Sequence, residues 1–402
     1  MNSVFVLQAL LLSVEIILVL PILYLLILSA AALGQRPQSH PSASEPTTRF
    51  ALLIPAHNEE AVLDTLLASL RALDYPPALI ATHVVADNCD DATAAIARRA
   101  GVAVYERQDA SAPGKGQALR WLLQQLEAAG DHYDAYVFID ADAQVSPNFL
   151  QVMDARLQAG QAIIQSQYRV QNSQEAWTAG LRAVAFALFN HLRPLGRTTL
   201  GWSCGLKGTG MCFSRAVIQQ FGWDAFSLTE DAEQHIALVK AGWRVVYAPA
   251  AIVWSAMPTS LRQAQSQQMR WERGRLELTR RHVPALLRGA LHARDAALLD
   301  AALEIMVPPL SAVAGLIACC CIGALLLPAP ANMALALFLV CGLSVHVLIG
   351  LRLACLPRAA YRSLLFAPAF IFWKLWVYLV ALVSPGQRRW VRTARQTQEQ
   401  AG

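Results

Sequence analysis

An apolar run, Tyr136-Val137-Phe138-Ile139, ends in Asp140-Ala141-Asp142. The run has the pattern of a buried strand, and carboxylates at the C-terminal end of a strand in an open α/β sheet stand in the crevice where such sheets bind ligands. Two carboxylates with one residue between them can share a divalent cation. Hard oxygen donors of this kind take Mg2+ or Mn2+ jointly with substrate phosphates. An acidic pair at a buried strand end is costly unless a cation or hydrogen bonds compensate, which favours metal binding by Asp140 and Asp142 over a loop cap.

Other segments carry chemistry of the same kind. Pro55-Ala56-His57-Asn58-Glu59-Glu60 follows a second apolar run, Phe50–Ile54, and Glu59 or Glu60 there can accept hydrogen bonds from a ribose or base. The same residues also suit a helix start, with Asn58 as cap and the acids complementing the dipole. Asp87-Asn88-Cys89-Asp90-Asp91 closes His83–Ala86 and places Asp87 to meet a nucleoside, a capping cluster being the equal alternative. Lys115, flanked by Gly114 and Gly116, can reach a base or phosphate, although an exposed turn lysine is the default for such a loop. Glu230-Asp231 opens a helix after Trp223 and Phe226, where a carboxylate partly desolvated by an aromatic wall can act as general base toward a hydroxyl. An acidic helix cap is the plainer alternative. Gln267, Arg270 and Trp271 lie on a basic amphipathic stretch; Arg can clamp a diphosphate and Trp can stack on a sugar face, and both also anchor helices at a membrane surface.

Positioning these groups requires a sheet. Short apolar runs at Phe50–Ile54, His83–Ala86, Val102–Tyr105 and Tyr136–Ile139 alternate with helical spacing at Glu60–Leu73, Ala92–Ala100 and Gln117–Ala129. That alternation predicts a mostly parallel, doubly wound α/β sheet. Further on, the pattern predicts helices over Trp177–His191 and Asp231–Ala241, a strand or tight segment over Gly208–Phe213, a strand over Arg244–Tyr247, and an interfacial helix over Leu261–Leu278.

The 402 residues are 55% hydrophobic, with a mean hydropathy of +0.36, which is too high for a purely soluble chain of this size. Met1–Leu33 carries Glu15 as its only charged side chain and Ile305–Leu351 carries none, so each can fill the ~30 Å bilayer core. The first segment lacks the basic start of a signal peptide and is too long for one, so a retained anchor is expected. Spans are predicted at Ile305–Leu327 and Met333–Leu353. Ser363–Ser384 contains Lys374 and precedes Arg388, Arg389, Arg392 and Arg395; crossing would put that basic tail outside, so a re-entrant or interfacial helix and a cytoplasmic C-terminus are expected. Arg36 and the run Arg270, Arg273, Arg275, Arg280, Arg281, Arg288 and Arg294 place residues 34–304 in the cytoplasm. The net charge of +5 reads as membrane-proximal bias, not as a nucleic-acid footprint. Eight cysteines form no CxxC pair and point to apolar fillers in a reducing compartment.

The order Pro55-Ala-His-Asn-Glu-Glu60, the Asp87 cluster, Asp140-Ala-Asp142, Gly208-Thr209-Gly210, Thr229-Glu-Asp231 and Gln267-x-x-Arg270-Trp271 resembles that of membrane-embedded family 2 glycosyltransferases, the cellulose, hyaluronan and poly-N-acetylglucosamine synthase group. Each motif alone is weak; the six in order between apolar segments are specific. The resemblance covers residue 50 to the C-terminus, including the Lys374 segment and Trp390–Arg395. It implies a GT-A-like fold (the nucleotide-diphospho-sugar transferase fold) with flanking transmembrane helices: an anchor over 1–33, a linker over 34–48, a cytoplasmic catalytic domain over 49–260, interfacial helices over 261–304, a membrane region over 305–384 and a basic tail over 385–402. It further implies transfer from a UDP-sugar, with Mg2+ or Mn2+, to a polysaccharide or lipid acceptor in an inner-membrane protein that works with accessory subunits. Pro55, Ala56, Asn58, Glu59, Asp87, Lys115, Asp140, Ala141 and Asp142 would hold the donor, Asp140 and Asp142 the metal. Asp231, beside Glu230, would be the base. Gly208, Thr209 and Gly210 would line the acceptor site, and Gln267, Arg270 and Trp271 would hold the diphosphate and terminal acceptor sugar. Asp87-Asn88 departs from the paired aspartates of many relatives, which bears on the nucleotide contacts. A catalytically inactive nucleotide-sensing scaffold is the alternative from another class.

Overall fold

The computed structural model describes residues 3–35 and 45–383; most of the Pro/Ser-rich linker and the basic tail lie outside the described residues. The chain divides into two units. One comprises residues 45–172 and 202–258, the other residues 3–35, 173–201 and 259–383.

Strands in the first unit arise where apolar runs are buried on both faces. β1 (Phe50–Ala56) is buried except at Pro55, β2 (Ile80–Asp87) buries its second half, β3 (Ala103–Arg107) follows it, and β4 (Ala135–Phe138) is buried throughout. The helix Leu63–Arg71 lays Leu63, Leu66, Leu67 and Leu70 against them, an apolar stripe at helical spacing. β5 (Ala143–Val145), β6 (Ile163–Val170), β7 (Met211–Ser214) and β8 (Val246–Ser255) complete a sheet of order β3-β2-β1-β4-β7-β6-β8-β5.

β1 runs parallel to β2 and β4, β2 to β3, and β6 to β8. β7 is antiparallel to both β4 and β6, and β5 to β8. The expected parallel arrangement therefore holds across β1 to β4, and the sheet becomes mixed beyond it. The reversal at β7 positions the site: because Phe138 pairs with Met211, the chain leaving β4 toward Asp140 meets the chain arriving at β7 through Gly208-Thr209-Gly210.

The helix predicted over Glu60–Leu73 begins at Leu63, and Asn58 does not cap it. Asn58 takes φ +56 and bonds across to Asp90, whose N–H returns a hydrogen bond of 3.0 Å to Asn58 Oδ1. Glu60 Oε2 accepts from the Ala92 N–H at 3.0 Å. These residues stitch the loop after β1 to the loop after β2, which leaves none of them for the helix end. β8 likewise starts two residues later than predicted and runs much further, past Pro249.

The second unit is helical. Ser3–Leu33, Pro330–Ala354 and Arg358–Ala381 are long and apolar enough to cross a membrane, and Ala296–Met306 with Leu310–Leu326 form a bent pair at 70°. The predicted span Ile305–Leu327 thus begins only at Leu310, because Pro308-Pro309 cannot continue a helix. Leu261–Ala293 is one helix, longer than its amphipathic pattern suggested. Trp177–Phe186 continues through a π-helical stretch, Ala187–Leu192, into Arg193–Thr199. Gly196 lets that last helix touch Ser3–Leu33 directly: a Cβ there would lie 2.2 Å from the Leu28 carbonyl oxygen. A buried ionic cluster joins the same elements. Arg197 donates to Asp300 at 3.1 Å and Tyr24 at 2.6 Å and pairs with Glu304 at 2.8 Å, while Tyr24 donates to Asp300 at 2.6 Å. All eight cysteines are free thiols.

Candidate active site

Three parallel strands deliver loops to one edge of the sheet. From β1 come Pro55, Ala56 and Asn58; from β2 comes Asp87; from β4 come Asp140, Ala141 and Asp142. Asp87 is buried and its carboxylate pairs with Arg107 at 2.6 Å, the residue directly beside it in the β2–β3 register. Arg107 also pairs with Asp109 at 2.9 Å and donates to the Ala112 carbonyl. Asp87 is thereby fixed at the end of β2 by a residue that sequence reading missed. A charged residue at the end of a strand gives no local sign of its neighbour. His57 Nδ1 donates to the Asp87 carbonyl at 2.7 Å and the Glu59 N–H to Thr93, completing the stitching.

Lys115 opens the helix Lys115–Ala128 and is no exposed turn lysine. Its ammonium lies 2.7 Å from Asp140 and 3.2 Å from Glu230 and donates to the Gly208 carbonyl at 2.5 Å. Burial opposes this charge, but Asp140, Glu230 and Asp231 outweigh it and hold the lysine protonated, its pKa above the ordinary range. One side chain therefore gathers the loops after β4 and before β7 and the start of the helix Glu230–Lys240.

That helix does not use Glu230 or Asp231 as its acidic cap. Glu233 reaches back to accept from the Phe226 and Ser227 N–H groups at 3.0 and 2.9 Å. Asp231 accepts from the adjacent Ala232 N–H at 2.8 Å and faces Gly208: a Cβ on Gly208 would lie 3.5 Å from Asp231 Oδ2. Desolvation, then the charge of Glu230, push the Asp231 carboxyl up to about 7, where it can take a proton at neutral pH. Trp223 is buried and stacked on Phe138 at 5.0 Å, whereas Phe226 is exposed.

Thr209 is buried, its hydroxyl accepting from the Asp140 N–H at 3.1 Å. Gln165, buried in β6, donates to the Thr209 carbonyl and accepts from the Lys207 N–H, both at 2.9 Å. This glutamine within an apolar strand is a second residue that sequence reading passed over. Lys207 lowers the Asp231 pKa and so adds another cation to the site. Gly210 has φ +63, and a Cβ would meet Ser166 Oγ at 1.9 Å and Val253 at 2.7 Å. Gly210→Ala is expected to destabilise the protein by roughly 2–5 kcal/mol, from left-handed backbone strain plus overpacking, measured as a lower urea midpoint by tryptophan fluorescence.

Asp140 and Asp142 offer hard oxygens suited to Mg2+ or Mn2+. Among the described residues no three His, Cys, Asp or Glu side chains form a metal cage. A divalent ion on this pair would complete its sphere with phosphate and water, as Mg2+ does. Carboxylates at this end of the site also outnumber the two lysines. The residues fit such an ion.

Gln267, Arg270 and Trp271 lie on Leu261–Ala293 in the helical unit, each half-buried. Arg182 donates to Gln267 Oε1 at 3.3 Å.

A mixed sheet with acidic loops at the ends of β1, β2 and β4 defines a GT-A-type α/β fold. The profile of "Glycosyltransferase like family 2" matches residues 46–274, and the chain belongs to that family. It is 26% identical over 233 residues to the probable glycosyltransferase YdaM of Bacillus subtilis, covering 56% of this chain and 55% of that one. It is 25% identical over 251 residues to glucomannan 4-beta-mannosyltransferase 7 of Arabidopsis thaliana, covering 58% and 44%. The chain spans about half the length of these curated relatives. The structure of the mannosyltransferase PcManGT from Pyrobaculum calidifontis, in complex with GDP-Man and Mn2+, superposes with a TM-score of 0.56 over 93% of this chain and 99% of that one at 16% identity, a likeness of fold.

Proposed function

We propose that the chain is an inverting glycosyltransferase that moves a sugar from a UDP-sugar to a growing polysaccharide, forming a β-linkage. The observation that supports this most is Asp231: a carboxyl raised to about 7, next to Gly208 and one residue from the Lys115–Glu230 pair. Asp231 takes the proton of the acceptor hydroxyl as its oxygen attacks the anomeric carbon, and the bond to the diphosphate oxygen breaks on the opposite face. Lys115 lies beside Asp140, where it offsets charge on the leaving diphosphate. A Mg2+ or Mn2+ on Asp140 and Asp142 would add Lewis-acid stabilisation of the same group. Pro55, Ala56, Asn58, Glu59 and Asp87 would frame the nucleoside. The roles of Gln267, Arg270 and Trp271 toward the diphosphate and acceptor sugar rest on the family resemblance alone.

The apolar helices support an inner-membrane location with the catalytic unit in the cytoplasm and the product exported, accessory subunits completing the path. Single transfer to a lipid acceptor is the second reading. A panel of UDP- and GDP-sugars, with the full chain in membranes, tests both: release of UDP with a β-linked polymer is expected. A product of one added sugar on lipid would replace the polymer reading. GDP release alone would overturn the choice of donor, and release of neither nucleotide would overturn transfer itself.

A further inference from the structure

Lys374 stands within the apolar helix Arg358–Ala381, yet it is buried and engaged. Its ammonium donates to Gln268 and, at 2.9 Å, to Glu272, both themselves buried and one helical turn apart on Leu261–Ala293. Arg275 extends the contact: it donates to Glu272 at 3.2 Å and to the Ile305 carbonyl at 3.3 Å, and its guanidinium lies over the Tyr378 ring at 5.5 Å, one turn beyond Lys374. Residues 268, 272 and 275 form one stripe of the helix, and residues 267, 270, 271 and 274 form the next, rotated by about 100°. The first stripe is held by Lys374 and Tyr378. The second carries Gln267, Arg270 and Trp271, with Gln267 held by Arg182 and the Arg270 Nε buried without an acceptor among the described residues.

We infer that Lys374 is a positioning residue: by gripping Gln268 and Glu272 it fixes the rotation of the Leu261–Ala293 helix and so aims Gln267, Arg270 and Trp271. Its charge also has a second consequence. Glu272 is the buried acid of this stripe, and Lys374 with Arg275 satisfies it, so that among the described residues no carboxylate is paired with Arg270, which can meet an anion. The apolar helix thus carries its lysine as a peg for a neighbouring helix. A lysine reaching for a membrane surface would extend along the helix instead of across it.

The catalytic part of this inference rests on the transferase reading, so the test has two arms, both on the full chain in nanodiscs. Lys374→Met is expected to lower kcat about 100-fold while donor KM changes less than about threefold, the signature of misplaced rather than missing contacts, and Lys374→Arg to recover most of the rate. Hydrogen–deuterium exchange is expected to rise in Lys374→Met over residues 261–279 but not over 330–354, and to stay near wild type in Lys374→Arg. Wild-type kcat in Lys374→Met, unchanged exchange over 261–279, or an arginine variant as impaired as the methionine one would each overturn the inference. If the wild type transfers no sugar while the exchange arm behaves as expected, the transferase reading falls and the positioning role of Lys374 stands.

Discussion

Asp231→Asn is expected to lower sugar transfer about 1,000-fold, within the range that general-base catalysis contributes, while donor binding by calorimetry stays within about threefold of wild type. Asn keeps the shape and the hydrogen bond from the Ala232 N–H but cannot take a proton. The wild-type rate should also carry the titration of this group. With the carboxyl at about 7, only the ionised form is a base, so kcat falls about tenfold per unit below pH 7 and levels off above it. Stability runs the other way. The folded pKa of about 7 exceeds the ordinary 3.8, so the folded state holds a proton that the unfolded chain has lost. The resulting contribution is fully present below pH 4 and disappears as pH rises through 7. The asparagine variant removes that dependence and is expected to melt higher than wild type at pH 8. A variant with near-normal transfer, or a flat wild-type profile between pH 5.5 and 8, sinks the base assignment.

Chelation of divalent ions is expected to lower the wild-type rate at least about 100-fold, and Asp142→Asn to raise the half-saturating Mn2+ concentration more than about tenfold. The reasoning starts from charge. Asp140 already has Lys115 at 2.7 Å, so a metal competes with a resident ammonium on that side, and Asp142 supplies the second oxygen that makes competition favourable. Direct Mn2+ binding, followed by electron paramagnetic resonance with and without UDP, separates metal affinity from turnover. It is expected to be weak in the protein alone and to strengthen with the nucleotide, because two carboxylates leave most of the coordination sphere to phosphate and water. A chelated enzyme that keeps its rate would overturn the metal assignment and leave the diphosphate charge to the protein's own cations, Lys115 among them.

How much of this was legible in the sequence depends on whether a residue's partner is local. β1 and β4 could be read because they are buried along nearly their whole length with unbroken apolar runs, and β2 from its buried second half. Asp140 and Asp142 stand out in the sequence because acids at the end of a buried strand are costly, whereas Asp231, at a helix start where acids are common, stands out only for the aromatic residues before it. Flanking glycines mark Lys115 in the sequence but do not reveal its role, because its partners Asp140, Gly208 and Glu230 come from three distant segments. Arg107 and Gln165 were missed for the same reason, one set by strand register and the other by a loop crossing a strand end. The reversal of β7 was invisible because direction in a four-residue strand is fixed by its neighbours, not by its own residues. Helix starts shifted where capping residues had work elsewhere, as Asn58 shows.

The ionic cluster around Arg197 also orders events during synthesis. Tyr24, Arg197 and Asp300 are separated by most of the polypeptide, yet each satisfies the others in the finished helical unit. The unit's own sequence is interrupted by the segment Trp202–Pro258, which completes the catalytic sheet. At ordinary elongation rates of about 5–20 residues per second, Arg197 emerges roughly 5–20 s before Asp300. For that interval the Ser3–Leu33 and Arg193–Thr199 helices lack the acid that neutralises them, while the strands of the other unit can already pair. The nascent chain should therefore finish its α/β unit first and lock its helices last, with Asp300 as the latch.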